Sequence, residues 1–150
     1  MIIEEGVLKD GTKYILVEKS TLIEELNNLK NQGYDYLILM SAVDYKKYRE
    51  VVYHLGSYND NRKIVLKVRT EDDILQSSTP LWGAANWFER EIYDLMGIKF
   101  EGHPNLKRIF LPEGWHGHPL RKDYDMSKKQ YVNMKEDGTD LVSFNPEDGW

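Results

Sequence analysis

"REVVYHLGSYNDNRKIVLKVRT", residues 49–70, reads as two paired strands joined by a turn, and that pairing decides the fold. Residues 49–58 and 62–70 are rich in Val, Ile, Leu and Tyr, bounded by polar residues. Between them, Asn59, Asp60 and Asn61 carry side chains that hydrogen-bond their own backbone in turns. Ile64, Leu66 and Val68 alternate with Val65, Lys67 and Arg69, so one face is buried and the other partly wet. His54, alone in the first strand, reads as a half-buried strand residue rather than a ligand.

Upstream, KYILVEK (13–19) reads as a strand. In STLIEELNNLKNQG (20–33), Thr21 and Glu24 have capping-box spacing. Leu22, Leu26 and Leu29 fall on one helical face, and Gly33 is a natural stop. YDYLILMSAVDY (34–45) is apolar enough for a central strand.

Downstream, TPLWGAANWFEREIYDLMGI (79–98) has Thr79 at an N-cap, Pro80 at the first helical position and Gly97 at the end. Helical geometry gathers Leu81, Ala84, Ala85, Phe88, Ile92, Leu95 and Met96 into an apolar stripe that meets the sheet. Trp87, Arg90, Glu91 and Asp94 lie opposite, with Trp82, Glu89 and Tyr93 along a third edge. This order predicts an α+β two-layer sandwich, with helices on one face of a mainly antiparallel sheet.

Residues 98–150 carry little regular signal. The last of them, 125–150, have few apolar residues, no helical period, and Tyr131, Phe144 and Trp150 spaced far apart. They are expected to form an extended C-terminal arm beyond a domain of residues 1–124, ordered against a partner.

Composition narrows the function. A chain of 150 residues fits one domain with one core. The net charge of −5 argues against nucleic acid, which needs a concentrated basic surface. No apolar run is long enough to span a membrane, and "MIIEEGVLKD" lacks the pattern of a signal peptide, so a cytosolic setting is expected. The chain has no cysteine, which removes disulfides and thiolate catalysis and makes a resident iron–sulfur cluster unexpected. No dinucleotide or P-loop motif occurs.

The stretch "GWHGHPLRKDY" (114–124) invites a metal reading. His103, His116 and His118 could supply three ligands of a catalytic zinc, making the chain a small metal-dependent hydrolase. No ligand motif of the H-E-x-x-H kind supports it. Glu89 and Glu91 point roughly 200° apart on a helix and cannot converge on one substrate. Glu91 and Asp94 share a face with Arg90, as a charged face for pairing does. Trp, Tyr and Arg anchor interfaces, so the residues favour an interaction subunit over an enzyme.

"NWFEREIYDLMGIKFEGHPNLKRIFLPEGWHGHPLRKDY", residues 86–124, carries more than composition. It resembles the signature region of the 30-kilodalton-type subunit of respiratory complex I, the C subunit of bacterial NADH:quinone oxidoreductase. The family's E-R-E followed by an acid matches Glu89, Arg90, Glu91 and Asp94; its Gly-Ile pair matches Gly97 and Ile98. Its first G-H-P matches Gly102, His103 and Pro104, and its G-H-P-L-R-K-D-aromatic block matches Gly117 to Tyr124. Asp125 stands where the family usually has a proline, and His116 falls at a position the motif does not fix.

The resemblance implies a non-catalytic assembly subunit of the peripheral arm, on the cytoplasmic side of the membrane. It implies packing against the D-type, hydrogenase-large-subunit-like chain, with the B and I subunits nearby. It implies no cofactor on this chain, with iron–sulfur clusters and a flavin or nickel–iron centre on partner subunits. The equivalent subunit of a group 4 energy-converting [NiFe] hydrogenase, or of a ferredoxin-linked relative, is the alternative. The expected partner interface is Trp87, Arg90, Glu91, Asp94, His103, His118, Arg121, Lys122 and Asp123. Gly117 and Pro119 fix the loop backbone, while Arg121, Lys122 and Asp123 offer charge-assisted bonds.

Overall fold

The computed structural model describes residues 1–148. Its main sheet has the order β1 (Ile2–Val7), β2 (Lys13–Val17), β5 (Lys63–Thr70), β4 (Arg49–Gly56), β3 (Tyr36–Asp44). Every neighbouring pair is antiparallel except β2–β5, which is parallel. Between β2 and β5 the chain runs through helix α1 (Leu22–Asn31), β3 and β4, which supplies the long connection a parallel pair requires.

The 49–70 hairpin forms as its alternation predicts. Val51 pairs with Val68, Tyr53 with Leu66 and Leu55 with Ile64, all buried in one core. Leu22, Leu26 and Leu29 of α1 enter that core, as do Ala85, Ile92 and Met96 of α2 (Ala85–Met96). Complete burial of a Leu such as Leu22 or Leu26 contributes about 1.5–3 kcal/mol over leaving it exposed. Both helices therefore cover one face, giving the α+β sandwich. The opposite face is the wet one: Lys67 lies 4.5 Å over the Tyr14 ring, and Arg69 bonds Glu50 at 3.1 Å. His54 is half-buried there, and burial lowers its pKa.

Several expectations are corrected. β1 adds a strand at the N-terminus that the sequence reading did not foresee. The apolar 34–45 segment forms β3, at the sheet's edge and not its centre. At α1 the capping box is not made: a 3-10 turn, Lys19–Thr21, leads into the helix, and the Thr21 hydroxyl donates to the Glu18 carbonyl. Gly33 does stop α1, at φ +102°, with Gly33 N–H on the Lys30 carbonyl and Tyr34 N–H on that of Leu29. These two bonds are the Schellman pattern.

Helix α2 begins at Ala85, not Pro80. The Thr79 hydroxyl meets Ser77 Oγ at 2.8 Å instead of capping a helix. Leu81 and Trp82 N–H both turn back to the Ser78 carbonyl. The Trp82 indole N–H donates to the Asp35 carbonyl, pinning this turn to the start of β3. Beyond α2, β7 (Lys99–Glu101) pairs in parallel with β6 (Ile74–Gln76).

The described part of the C-terminal stretch, 125–148, has its own structure. It folds into a hairpin, β8 (Gln130–Met134) with β9 (Asp140–Phe144), followed by a 3-10 turn at Pro146–Asp148. The signal was Asp137-Gly138: Gly138 has φ +86°, and Asp137 Oδ1 accepts from Thr139 N–H and Oγ1–H. Trp150, named above in the arm, lies outside the described residues with Gly149.

Candidate functional site

The charged side of α2 and the 105–123 loop form one connected structure. Asp94, on α2, is completely buried. Its Oδ2 accepts backbone N–H bonds from Ile109, Phe110 and Leu111 at 2.7–3.1 Å, and its Oδ1 accepts from Arg108 at 3.0 Å. Three successive backbone donors around one carboxylate make a concave anion seat. Arg108 continues outward, donating to the Trp115 and Gly117 carbonyls. Asp94 thus folds the loop, its carboxylate buried and engaged by four internal donors.

His118 sits beside it. Its Nδ1–H donates to the Asp94 carbonyl at 2.9 Å, which fixes the tautomer. Burial lowers its pKa, the Asp94 bond raises it, and the nearby Arg108 and Arg121 charges lower it further. Gly97, at φ +77°, lies under this ring; a Cβ there would come within 2.7 Å of His118 Cδ2. Only glycine suits both the left-handed turn and the close ring.

Arg121 also turns inward. Its Nη1 donates to Asp73 Oδ2 at 2.8 Å and to the Met96 carbonyl at 3.3 Å, and its Nε to Asp123 at 3.3 Å. Asp73 takes Arg49 Nε on its other oxygen at 2.5 Å. Burial opposes the Arg121 charge, but the Asp73 and Asp123 carboxylates outweigh it and raise its pKa. Lys122 gives its backbone N–H to Asp44. Burial pushes the Asp44 pKa up, yet N–H bonds from Lys122 and Lys46 and the Arg121 and Arg49 charges hold it below the usual value. The 114–124 loop therefore grips its own domain, and Arg121 is a strut within it. The exposed Lys122 and Asp123 side chains border a cleft of about 170 Å³ with Asp44, Lys46, Arg49 and Arg121.

Arg90 is likewise internal, donating to the Lys107 and Arg108 carbonyls while its guanidinium lies 5.1 Å over the Trp87 ring. Trp87 stays 62% exposed, and Glu91 is exposed with no ion-pair partner among the described residues. His103 accepts from Asn105 N–H on Nδ1 and donates from Nε2 to the Asn86 carbonyl. His116 holds the hairpin: Gln130 donates to its carbonyl and accepts its N–H, and its ring meets Phe144 edge-on at 4.5 Å. The three histidines therefore serve three different places, and among the described residues no group of three or more His, Asp or Glu gathers as a metal site.

Glu89, assigned above to a third helix edge, is fully buried and accepts from Ser77 Oγ–H, Ser78 N–H and Ser78 Oγ–H. Burial raises its pKa against those donors. Sequence reasoning missed Asp44, Asp73 and Arg108. The contacts that give them their roles, Asp94 to Arg108, Asp73 to Arg121 and Asp44 to Lys122, span 14, 48 and 78 residues, and no local spacing announces them.

Fold and site together define an α+β module whose signature residues mostly brace its own C-terminal loop and leave Trp87, Glu91, Lys122 and Asp123 outward. Residues 15–130 match the family described as "Respiratory-chain NADH dehydrogenase, 30 Kd subunit", and the chain belongs to it. The C subunit of NADH-quinone oxidoreductase from Caulobacter vibrioides is 41% identical over 134 residues, covering 85% of this chain and 67% of that protein. The C/D subunit of NADH-quinone oxidoreductase from Yersinia pestis is 36% identical over 160 residues, covering 93% of this chain and 27% of that protein. Against the C-type relatives the chain spans about 59–67% of their length.

Among solved structures, the trypsin-resistant fragment (1-134) of Nqo5 matches with TM-score 0.63 and 33% identity. It covers 69% of this chain and 89% of its own. A chain of the membrane-bound sulfane sulfur reductase, an archaeal respiratory membrane complex, matches with TM-score 0.73 and 24% identity, over 82% of this chain and 77% of its own. That second likeness is one of fold. No helix among the described residues is long and apolar enough to cross a membrane.

Proposed function

We propose that this chain is a non-catalytic assembly subunit in the peripheral arm of a membrane-bound, complex I-like NADH:quinone oxidoreductase, on the cytoplasmic side. The family match over residues 15–130 carries this reading. The geometry supports it: the signature carboxylate Asp94 shapes a loop rather than a reaction centre, and Trp87, Glu91, Lys122 and Asp123 stay available to a partner. The partner is a D-type chain, in keeping with the relatives named C/D, with the B and I subunits nearby. Clusters and flavin reside on those other chains, while this one, without cysteine, carries none.

Affinity purification of the full chain from its native membrane, with identification of co-purifying chains, tests this. A D-type chain with flavin-bearing NADH-oxidising subunits is the expected set. A large subunit with nickel-ligating cysteines would instead place the chain in a group 4 hydrogenase. Stoichiometric visible chromophore, or one equivalent of zinc, on the chain alone would overturn the assembly reading.

A further inference from the structure

The main sheet has two open edges, β1 and β3, and the sequence treats them differently. β1, IIEEGV, carries Glu4 and Glu5 and an irregular register at Ile2/Glu4. Charges and bulges are how natural sheets prevent edge-to-edge pairing. β3, YLILMSAVD, has no Lys, Arg, Glu or Pro, and its one charge is the terminal Asp44. Its pairing with β4 shifts register once, at Leu37/Leu39, and is regular from Leu39 to Asp44, a stretch with no charge before Asp44.

Both sides of that edge are apolar. On the open face of the sheet, Leu39 and Val43 are 38% and 40% exposed. On the helix side, a groove of about 150 Å³ runs between β3 and α2, lined by Met40, Ala42, Ile92, Leu95 and Leu120. Glu91 lines the same groove, exposed and unpaired among the described residues. A strand hydrogen-bonded to β3 would point alternate side chains into the groove and over Leu39 and Val43.

We propose that β3 is a docking edge, where an extended segment of a neighbouring subunit, apolar on both faces and carrying one Lys or Arg to meet Glu91, adds as a sixth strand. Main-chain bonds would supply affinity, and the groove and Glu91 specificity. A second copy of this chain fits less well, because the groove lining holds Glu91 and no cation to answer it. The inference rests on the assembly reading above.

Hydrogen–deuterium exchange on the full chain, alone and co-purified with its partner chains, tests it. The outward amides of residues 39–44 should exchange at least about tenfold more slowly in the complex. Val43→Lys, on the exposed sheet face, should leave the chain's own melting unchanged yet reduce its retention in the complex. Glu91→Lys should do the same, with Glu91→Gln intermediate. A complex that retains the chain while residues 39–44 exchange as fast as in the chain alone overturns the docking edge and leaves the assembly reading standing. A chain that co-purifies with nothing overturns the assembly reading itself. Protection in the isolated chain that grows with concentration would mean self-pairing, and the neighbouring-subunit assignment would be wrong.

Discussion

At the residue scale, Asp94 is the position on which the loop depends. Its carboxylate is buried against four donors, three of them backbone N–H groups that no rotamer change can satisfy elsewhere. Asp94→Asn places an amide NH2 against some of these donors and removes the charge facing Arg108. The expected loss is about 2–4 kcal/mol, read as a fall in denaturation midpoint at unchanged m-value. A change within measurement error would mean the loop holds without its carboxylate. His118 adds a pH dependence. Its folded pKa lies below the ordinary 6.5, so as pH falls through 6.5 the unfolded chain takes the proton first and the fold loses stability. The loss runs down to the depressed folded value. His118→Asn keeps a donor for the Asp94 carbonyl but cannot titrate. Wild type should therefore lose more melting temperature than His118→Asn between pH 7.5 and 5.5, and equal losses would acquit His118.

At the scale of elements, the 114–124 loop is a clasp closed by salt bridges and glycine turns. Arg121→Ala leaves Asp73 its second partner, Arg49, so the expected loss is about 1–3 kcal/mol rather than that of an abandoned buried charge. Arg121→Lys should recover part of it, since one ammonium cannot reach Asp73, Asp123 and the Met96 carbonyl together. Gly97→Ala should be costlier still than its backbone conformation alone, about 1 kcal/mol, because the new methyl strikes the His118 ring. A thermal melt ranks the three variants. The α1 face and the central hairpin were legible in the sequence because their signal is periodic and local: Leu22, Leu26 and Leu29 declare one face by spacing alone, whereas on α2 the buried Glu89 and Asp94 break the apolar pattern. β3 was legible as a strand but not as an edge, because hydropathy reports burial and not which neighbour hydrogen-bonds a strand. The loop residues were legible as a set and not in their roles. Arg121 looked outward-facing because its partner Asp73 stands 48 residues earlier, in a turn before β6.

At the scale of the whole molecule, the hairpin β8–β9 is a separate two-stranded sheet beside the sandwich. A lone two-stranded hairpin is marginal in water, so what holds it in place matters. Its ties to the body include the two Gln130–His116 amide bonds and the His116–Phe144 ring contact. No residue of the hairpin belongs to the core shared by α1, α2 and the main sheet among the described residues. Ending the chain after Tyr124 should therefore leave the sandwich nearly as stable, lowering its melting temperature by no more than about 4 °C. Trypsin should cut first at the exposed Lys129, ahead of β8, before any site in the main sheet. Gln130→Ala should speed that cut and the amide exchange of residues 130–144 without moving the main transition. If the arm serves the parent complex, the shortened chain will melt normally and still be retained less well by its partners. A fall well beyond about 8 °C would instead make the hairpin part of the folding unit, and the boundary near residue 124 would have to move to the end of β9.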